Sequence, residues 1–370
     1  MDSSFLWHAL TTGASALQAL LLLTNIPRVN RQANRWLGLF FICLATLFAQ
    51  LSIEAAAPAP QNPLDWLVPL LELPRWATFP CFFLALVYFV NPTAPPRAAV
   101  WHFIPFFLFC LYAACVMLPN RYADSQIPFD LPASVVWIIR HLFLGQIIAY
   151  WALSFFLLRR HHRQIKRFSA TVEQINLAWI TFILFALLAM TALWLLGKNY
   201  PPIAAIVPAG YFALTVFMAY HSLNQGVIYP VGKDQLPEII EAITSSNQPY
   251  ARLTEDQVRI LQDNVHQLVI ENEMFLDPML NLPTLAEKVG ISSHDLSFVL
   301  NQGFGKNFYR YINELRVAEA KRLLVHPDFR NKDIASVAIH AGFNSRTTFY
   351  TAFKKITGMT PKDYLSRRDT

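Results

Sequence analysis

Apolar residues along the first 221 positions gather into seven long runs: Phe5 to Thr24, Trp36 to Ala57, Trp66 to Val90, Val100 to Leu118, Ser134 to Leu158, Ile175 to Leu196 and Ile203 to His221. Each is long enough to cross a hydrocarbon core of ~30 Å, which takes about 20 helical residues. The joints carry prolines and charges, as at Pro58 to Pro63, Asn91 to Pro96 and Asn199 to Pro202, and such residues punctuate helices. Asp2 stands where a signal peptide would be basic, and no small-residue cleavage site follows, so the first run reads as a helix. After Tyr229 the runs stop. Pro230 to Pro249 is a polar connector with one short helix around Glu238 to Ile243. Thr254-Glu255-Asp256-Gln257 then forms a capping box that opens a helix to about Phe275, halted by Pro278. Along it Val258, Leu261, Val265, Leu268, Asn272 and Phe275 recur by threes and fours, a heptad stripe with one polar position. Such a stripe serves either a short dimer coil or packing against the domain that follows.

That domain repeats itself. Measured from Gly290 and Gly342, Leu282 corresponds to Ile334, Leu285 to Val337 and Ala286 to Ala338. With one residue inserted in the second copy, Ser292 corresponds to Ser345, Leu296 to Phe349, Leu300 to Phe353, Gly305 to Gly358, Phe308 to Pro361 and Tyr311 to Tyr364. Each copy reads as a helix, a tight turn at glycine, and a second capped helix, which is helix-turn-helix grammar. Glycine suits the left-handed backbone of the turn, and the small Ala286 and Ala338 let paired helices approach.

The stretch from about Leu282 to Leu365 resembles the DNA-binding domain of the AraC/XylS family of bacterial transcription regulators. The likeness rests on Leu285-Ala286, Gly290-Ile291-Ser292, Leu296-Ser297, Gly305, Tyr311-Ile312, Leu315-Arg316, Ala320, Leu323-Leu324, Ile334-Ala335, Ala338, Gly342-Phe343, Ser345, Phe349, Phe353-Lys354-Lys355, Gly358, Thr360-Pro361 and Tyr364. It covers a quarter of the chain, and the family includes members with N-terminal transmembrane bundles. The resemblance implies a long helix from about Lys306 to Val325 that joins the units rigidly, each inserting its second helix into successive major grooves of double-stranded promoter DNA. Base-facing positions would be His294, Ser297 and Phe298 in the first unit, and Arg346, Thr347, Tyr350 and Thr351 in the second. Lys306, Asn307, Lys354, Lys355 and Lys362 would meet phosphates. Where many members carry Arg just after Leu-Ser, this chain has Phe298, which can touch a thymine methyl but cannot pair with guanine. RNA polymerase is an implied partner if the protein activates.

The expected fold is therefore all-α: a seven-helix transmembrane sensor or anchor over 1–222, a connector over 223–253, a candidate dimerisation helix over 254–277 and a double helix-turn-helix domain over 278–370. Charge sharpens this picture. The chain is 54% hydrophobic with a net charge of +6, and nearly all the apolar excess precedes His221. Asn301 to Arg368 holds 13 basic and five acidic residues, whereas Val231 to Leu300 holds four basic and eleven acidic. Basicity thus sits where phosphate would be neutralised. Nine basic residues lie in the odd-numbered joints, Arg28, Arg31, Arg35, Arg97, Arg159, Arg160, Arg163, Lys166 and Arg167, against Arg121 and Lys198 in the even ones. The positive-inside rule then predicts an inner-membrane protein with its N-terminus outside and its C-terminus in the cytoplasm.

Within the runs, ionisable groups are expensive and mark candidate signal sites. Glu72 and Arg75 are three apart and can pair on one helix face; Arg140 and His141 lie in the fifth run. Structural pairing or snorkelling competes with ligand contact for each. Aromatics crowd runs three to six, and they could wall a cavity for a small apolar ligand. Cys43, Cys81, Cys110 and Cys115 all fall within the runs and read as packing residues. No cofactor or metal motif and no catalytic constellation is present, and His161-His162 stand in a basic joint. The last run has no lysine for a retinal Schiff base. Two function classes remain: a one-component regulator, with a homodimer as one arrangement, in which a small-molecule or membrane-protein signal at the lipid-embedded bundle alters the DNA-reading tail; or an anchor whose bundle binds a partner membrane protein that controls the tail.

Overall fold

Long stretches of apolar residues without breakers satisfy their own backbone only as helices, and helices are what form. The computed structural model describes residues 3–26, 29–56, 63–92, 96–119, 132–168, 177–197, 199–225, 253–329 and 332–367, and among them there is no strand. The connector helix expected around Glu238 to Ile243, and the joint residues Arg28, Arg121 and Lys198, lie outside the described residues. Two compact units arise: Met1–Arg159 with Leu177–Gly226, and Arg160–Asn176 with Val227–Thr370.

In the first unit the helices are α1 (Ser3–Leu23), α2 (Arg31–Ala56), α3 (Val68–Glu72), α4 (Thr78–Val90), α5 (Ile104–Tyr112), α6 (Ala133–Phe168), α7 (Ala178–Gly197) and α8 (Pro201–Asn224). Among the described residues, seven segments are long and apolar enough to cross a membrane. The third is not one smooth helix. Pro69 and Pro74 each sit at the start of a new short segment, so 3₁₀ turns at Asp65–Leu67 and Leu73–Ala77 alternate with α3 and α4. Proline lacks the amide proton and crowds the preceding turn, which explains the alternation. The fourth enters through a 3₁₀ stretch, Pro96–Phe103, and leaves through a π turn, Ala113–Met117.

The basic run after the fifth apolar segment corrects the sequence reading. Arg159, Arg160 and Arg163 belong to no loop; they continue α6, whose 36 residues reach to Phe168. At 1.5 Å per residue that is about 54 Å. Arginine, lysine and glutamine are good helix formers and nothing there interrupts the ladder. His161 and His162 are likewise helical.

The bundle is apolar outside and holds polar groups within. Leu17, Leu20, Trp101, Leu108, Phe156 and Ile206 are all exposed. Thr11, Ser15 and Gln18, on one face of α1, are buried instead, and the Gln18 Nε2 donates to Ser222 Oγ of α8 at 2.7 Å. Gln146 Nε2 on α6 donates to the Trp76 carbonyl at 3.1 Å, and Trp151 Nε1 to the Leu184 carbonyl of α7 at 3.0 Å.

The second unit contains α9 (Glu255–Glu271), α10 (Leu282–Val289), α11 (Ser293–Gly303), α12 (Phe308–Leu324), α13 (Ile334–His340), α14 (Arg346–Thr357) and α15 (Pro361–Ser366). The capping box at Thr254 and Gln257 forms as the residues dictate, with both reciprocal hydrogen bonds present. The unit has two apolar cores. The first gathers Val265 and Val269 of α9, Leu282, Leu285 and Ala286 of α10, Leu296 and Leu300 of α11, and Phe308, Tyr311 and Ile312 of α12. The second gathers Val317, Ala320, Leu323 and Leu324 of α12 with Val337, Ala338, Phe343, Phe349, Ala352 and Phe353. One long helix therefore lends its first half to one core and its second half to the other. Part of the heptad stripe of α9 joins the first core: Val265 is buried and Leu268 packs alongside it. His266 Nδ1 also lies 3.1 Å from the Tyr311 hydroxyl, and Gln262 packs over Gly303 of α11.

Candidate nucleic-acid interface

Sequence repetition becomes repetition of hydrogen bonds. Asn281 caps α10 by accepting from Thr284 N–H at 3.0 Å, and Asp333 caps α13 by accepting from Ser336 N–H at 2.8 Å. Both glycine turns are left-handed, with φ of 78° at Gly290 and 84° at Gly342. After each, an amide reaches back over the helix end, Ile291 to the Ala286 carbonyl at 3.0 Å and Phe343 to the Ala338 carbonyl at 2.9 Å. Ser292 and Ser345 then cap α11 and α14, each accepting from the amide three residues on at 3.1 Å. Such caps use donors the helix leaves unpaired, each typically worth about 1 kcal/mol. Two copies of a helix, a left-handed turn and a capped second helix result, joined by α12.

The second helix of each copy is where a groove would be met, and the two differ in what they present. On α14, Arg346, Thr347 and Thr351 are exposed and Tyr350 is half-buried. The Arg346 guanidinium lies 5.3 Å from the Tyr350 ring centre, within cation–π range. Lys354 and Lys355 at the end of α14, and Lys362 on α15, are exposed too. On α11, His294 and Phe298 are half-buried, while Ser297 is 5% exposed, with its carbonyl accepting from Asn301 Nδ2 at 2.8 Å. A side chain so enclosed is not presented to a groove.

Two residues expected at phosphates have other duties. Asn307 caps α12, its Oδ1 accepting from Arg310 N–H at 2.9 Å. Lys306 pairs with Glu314 at 2.5 Å, and Arg310 reaches the same carboxylate at 2.8 Å. Partial burial works against the Glu314 charge, but the hydrogen bonds from Lys306 and Arg310 prevail and hold the carboxyl below its usual range. Arg322 is likewise occupied by Glu319, through two bonds of 2.8 and 2.6 Å. Arg316, which a sequence count places among phosphate-neutralising charges, is fully buried. Among the described residues, the second copy carries exposed Arg346, Lys354, Lys355, Lys362 and Arg367, and the first copy exposes Lys288 and the carboxylate-paired Arg310.

Each described candidate signal residue has a local partner. Arg75 pairs with Glu72 at 3.5 Å and lies 4.6 Å from the Phe143 ring centre. His141 Nδ1 stands 2.7 Å from the Trp137 carbonyl, within its own helix. Arg140 is helical in backbone, and its side chain lies outside the described residues. A small cavity of about 20 Å³ is lined by Phe79, Tyr150, Trp151, Ser154 and Leu184. That is room for about one water.

Tandem capped helix-turn-helix units sharing a long central helix define a double helix-turn-helix module. Consistent with this, residues 285–367 match the family described as a helix-turn-helix domain. Over 106 residues the chain is 33% identical to an uncharacterized HTH-type transcriptional regulator of Staphylococcus aureus (strain COL), covering 29% of this chain and 14% of that protein. Over 97 residues it is 35% identical to an uncharacterized HTH-type transcriptional regulator in the cgkA 5′ region of Pseudoalteromonas carrageenovora, covering 26% of this chain and 54% of that one. The chain therefore spans about a seventh and about half of these relatives. No solved structure matches it.

Proposed function

We propose that this protein is a membrane-embedded one-component transcription regulator that binds promoter DNA through its C-terminal double helix-turn-helix and takes its input at the seven-helix bundle. The observation that carries the DNA reading is the exposed row on α14: Arg346 in cation–π contact with Tyr350, Thr347 and Thr351 beside it, and Lys354 and Lys355 at its end. Arginine can donate two hydrogen bonds to guanine O6 and N7, threonine methyls suit thymine, and the lysines suit phosphate. Membrane embedding is supported by the seven apolar segments and by an exterior of exposed leucines and aromatics around buried glutamine, serine and threonine. Lipid favours that inside-out polarity, because polar side chains must find partners among the helices. The excess of basic residues in the odd-numbered joints and in the end of α6 supports a cytoplasmic C-terminal unit under the positive-inside rule.

Oriented vesicles test both halves together. Inside-out inner-membrane vesicles carrying the protein should retain genomic DNA fragments, with retention falling steeply as salt rises, and right-side-out vesicles should not. Equal retention by both orientations contradicts the topology; retention by neither contradicts DNA binding.

A further inference from the structure

Between the two cores of the C-terminal unit lies a polar waist. Ile312 belongs to the first core and Val317 to the second; between them on α12, Asn313 is 1% exposed and Arg316 is 0% exposed. A buried guanidinium is costly unless held. What holds this one is backbone from outside both repeats: Arg316 Nε donates to the Phe275 carbonyl and Nη2 to the Asp277 carbonyl, each at 2.7 Å. Its Nη1 has no hydrogen-bond partner. Burial brings the guanidinium down to about 10, against a smaller opposing effect of the Asp277 charge, so it stays cationic at neutral pH.

The loop it grips is unusual in two ways. Glu273, which opens it, has φ of 47°, a left-handed conformation that non-glycine residues rarely adopt. On its other side the loop lies against the turn of the second repeat, where a Cβ added to Gly342 would stand 2.6 Å from the Phe275 carbonyl oxygen and 2.7 Å from the Leu276 Cα. Gly342 therefore does more than supply a positive φ; it makes room for this loop. The Arg316 guanidinium also lies 5.8 Å from the ring centre of Phe343, the next residue of that turn. One short segment, leading from α9 into the first repeat, is thus fastened by the linking helix and seated on the second repeat. If Arg316 only filled space, an apolar residue would do so without a desolvated charge.

We propose that Arg316 is a positioning residue that clamps the Glu273 to Pro278 loop between the two helix-turn-helix units, fixing their relative orientation and with it the spacing of the two DNA elements they occupy. This rests on the DNA-binding reading above. It also gives α9 a mechanical hold on the second unit, since any pull on α9 reaches the Gly342 turn through this loop.

The test uses the full chain in lipid nanodiscs and selection from randomised duplex DNA, comparing the wild type with Arg316→Leu, Arg316→Lys and Gly342→Ala. Wild type should return two elements at one spacing, enriched roughly tenfold over spacings one base pair shorter or longer. Arg316→Leu and Gly342→Ala should return the same elements with that enrichment largely lost, and Arg316→Lys, which keeps charge but not two diverging bonds, should fall between. Variants that bind more weakly yet keep the wild-type spacing would overturn the proposal, because that is what a purely stabilising residue leaves behind. If Arg316→Leu returns no sites, Arg316→Lys and Gly342→Ala decide by the same criterion. A wild-type chain that selects no DNA would instead count against the DNA-binding reading itself.

Discussion

In the first helix-turn-helix unit the second helix begins Ser293-His294-Asp295, and in the second helix-turn-helix unit it begins Arg346-Thr347-Thr348. Both are capped by serine, both follow a left-handed glycine, and both bury two large apolar residues, Leu296 and Leu300 in one, Phe349 and Phe353 in the other. Their exposed faces diverge. The first offers a half-buried histidine and phenylalanine, with Ser292 Oγ hydrogen-bonded to Asp295 at 2.7 Å; the second offers an arginine in cation–π contact with a tyrosine, and two lysines. A duplicated scaffold can keep its packing while its two surfaces diverge; under the proposed function the second would read bases and grip phosphate and the first would make shape-fitting contact.

The most drastic way to break this comparison is to remove one core at a time. Phe349→Ala should cost about 3–5 kcal/mol and Leu296→Ala about 2–5 kcal/mol, since each empties a fully buried site. Hydrogen exchange should show protection lost mainly in α13 to α15 for the first substitution and in α10 and α11 for the second. Uniform loss across both units would mean that the two cores are one cooperative block.

Caps give a subtler contrast. Ser292→Ala and Ser345→Ala each remove an equivalent 3.1 Å bond and should each cost about 1 kcal/mol. Stability measured by denaturant should fall alike, yet DNA affinity should fall more for Ser345→Ala, because it loosens the start of the helix carrying Arg346. Smaller still are the charge effects. Lys354→Ala should weaken all sequences about equally and reduce the salt slope by roughly one. Glu314→Gln should do the opposite, releasing Lys306 and Arg310 toward phosphate and steepening the slope. An unchanged slope in Glu314→Gln would show that the first unit stays off the backbone.

Much of this was legible in the residues, for identifiable reasons. The repeat shows because left-handed turns need glycine and helix starts need Ser, Asn or Asp, so Gly290, Gly342, Ser292 and Ser345 announce themselves. The apolar segments show because their length is set by the thickness they would cross. What stayed hidden depends on contacts between distant segments. Arg316 looks like any basic residue of an exposed helix until the Phe275 to Asp277 backbone folds over it. Asn307 resembles a phosphate ligand until the start of α12 claims its side chain as a cap, and Ser297 is buried on the helix whose Leu296 and Leu300 fill the first core. The basic stretch after Leu158 reads as a loop by charge alone, although its helix propensity was there to be weighed. For the α9 stripe the periodicity is the same in a dimer coil and in a packed helix, and only the partner surface distinguishes them.

The central claim is that the second unit reads bases through Arg346. Selection from a randomised DNA library with the full chain and its Arg346→Ala variant tests it most directly. The account predicts that one guanine preference, amounting to about 1–3 kcal/mol of discrimination, disappears from the selected motif while the remaining positions and the fold persist. An Arg346→Ala variant that selects the unaltered wild-type motif would contradict it, and would move specificity to the first unit or to the shape of the DNA.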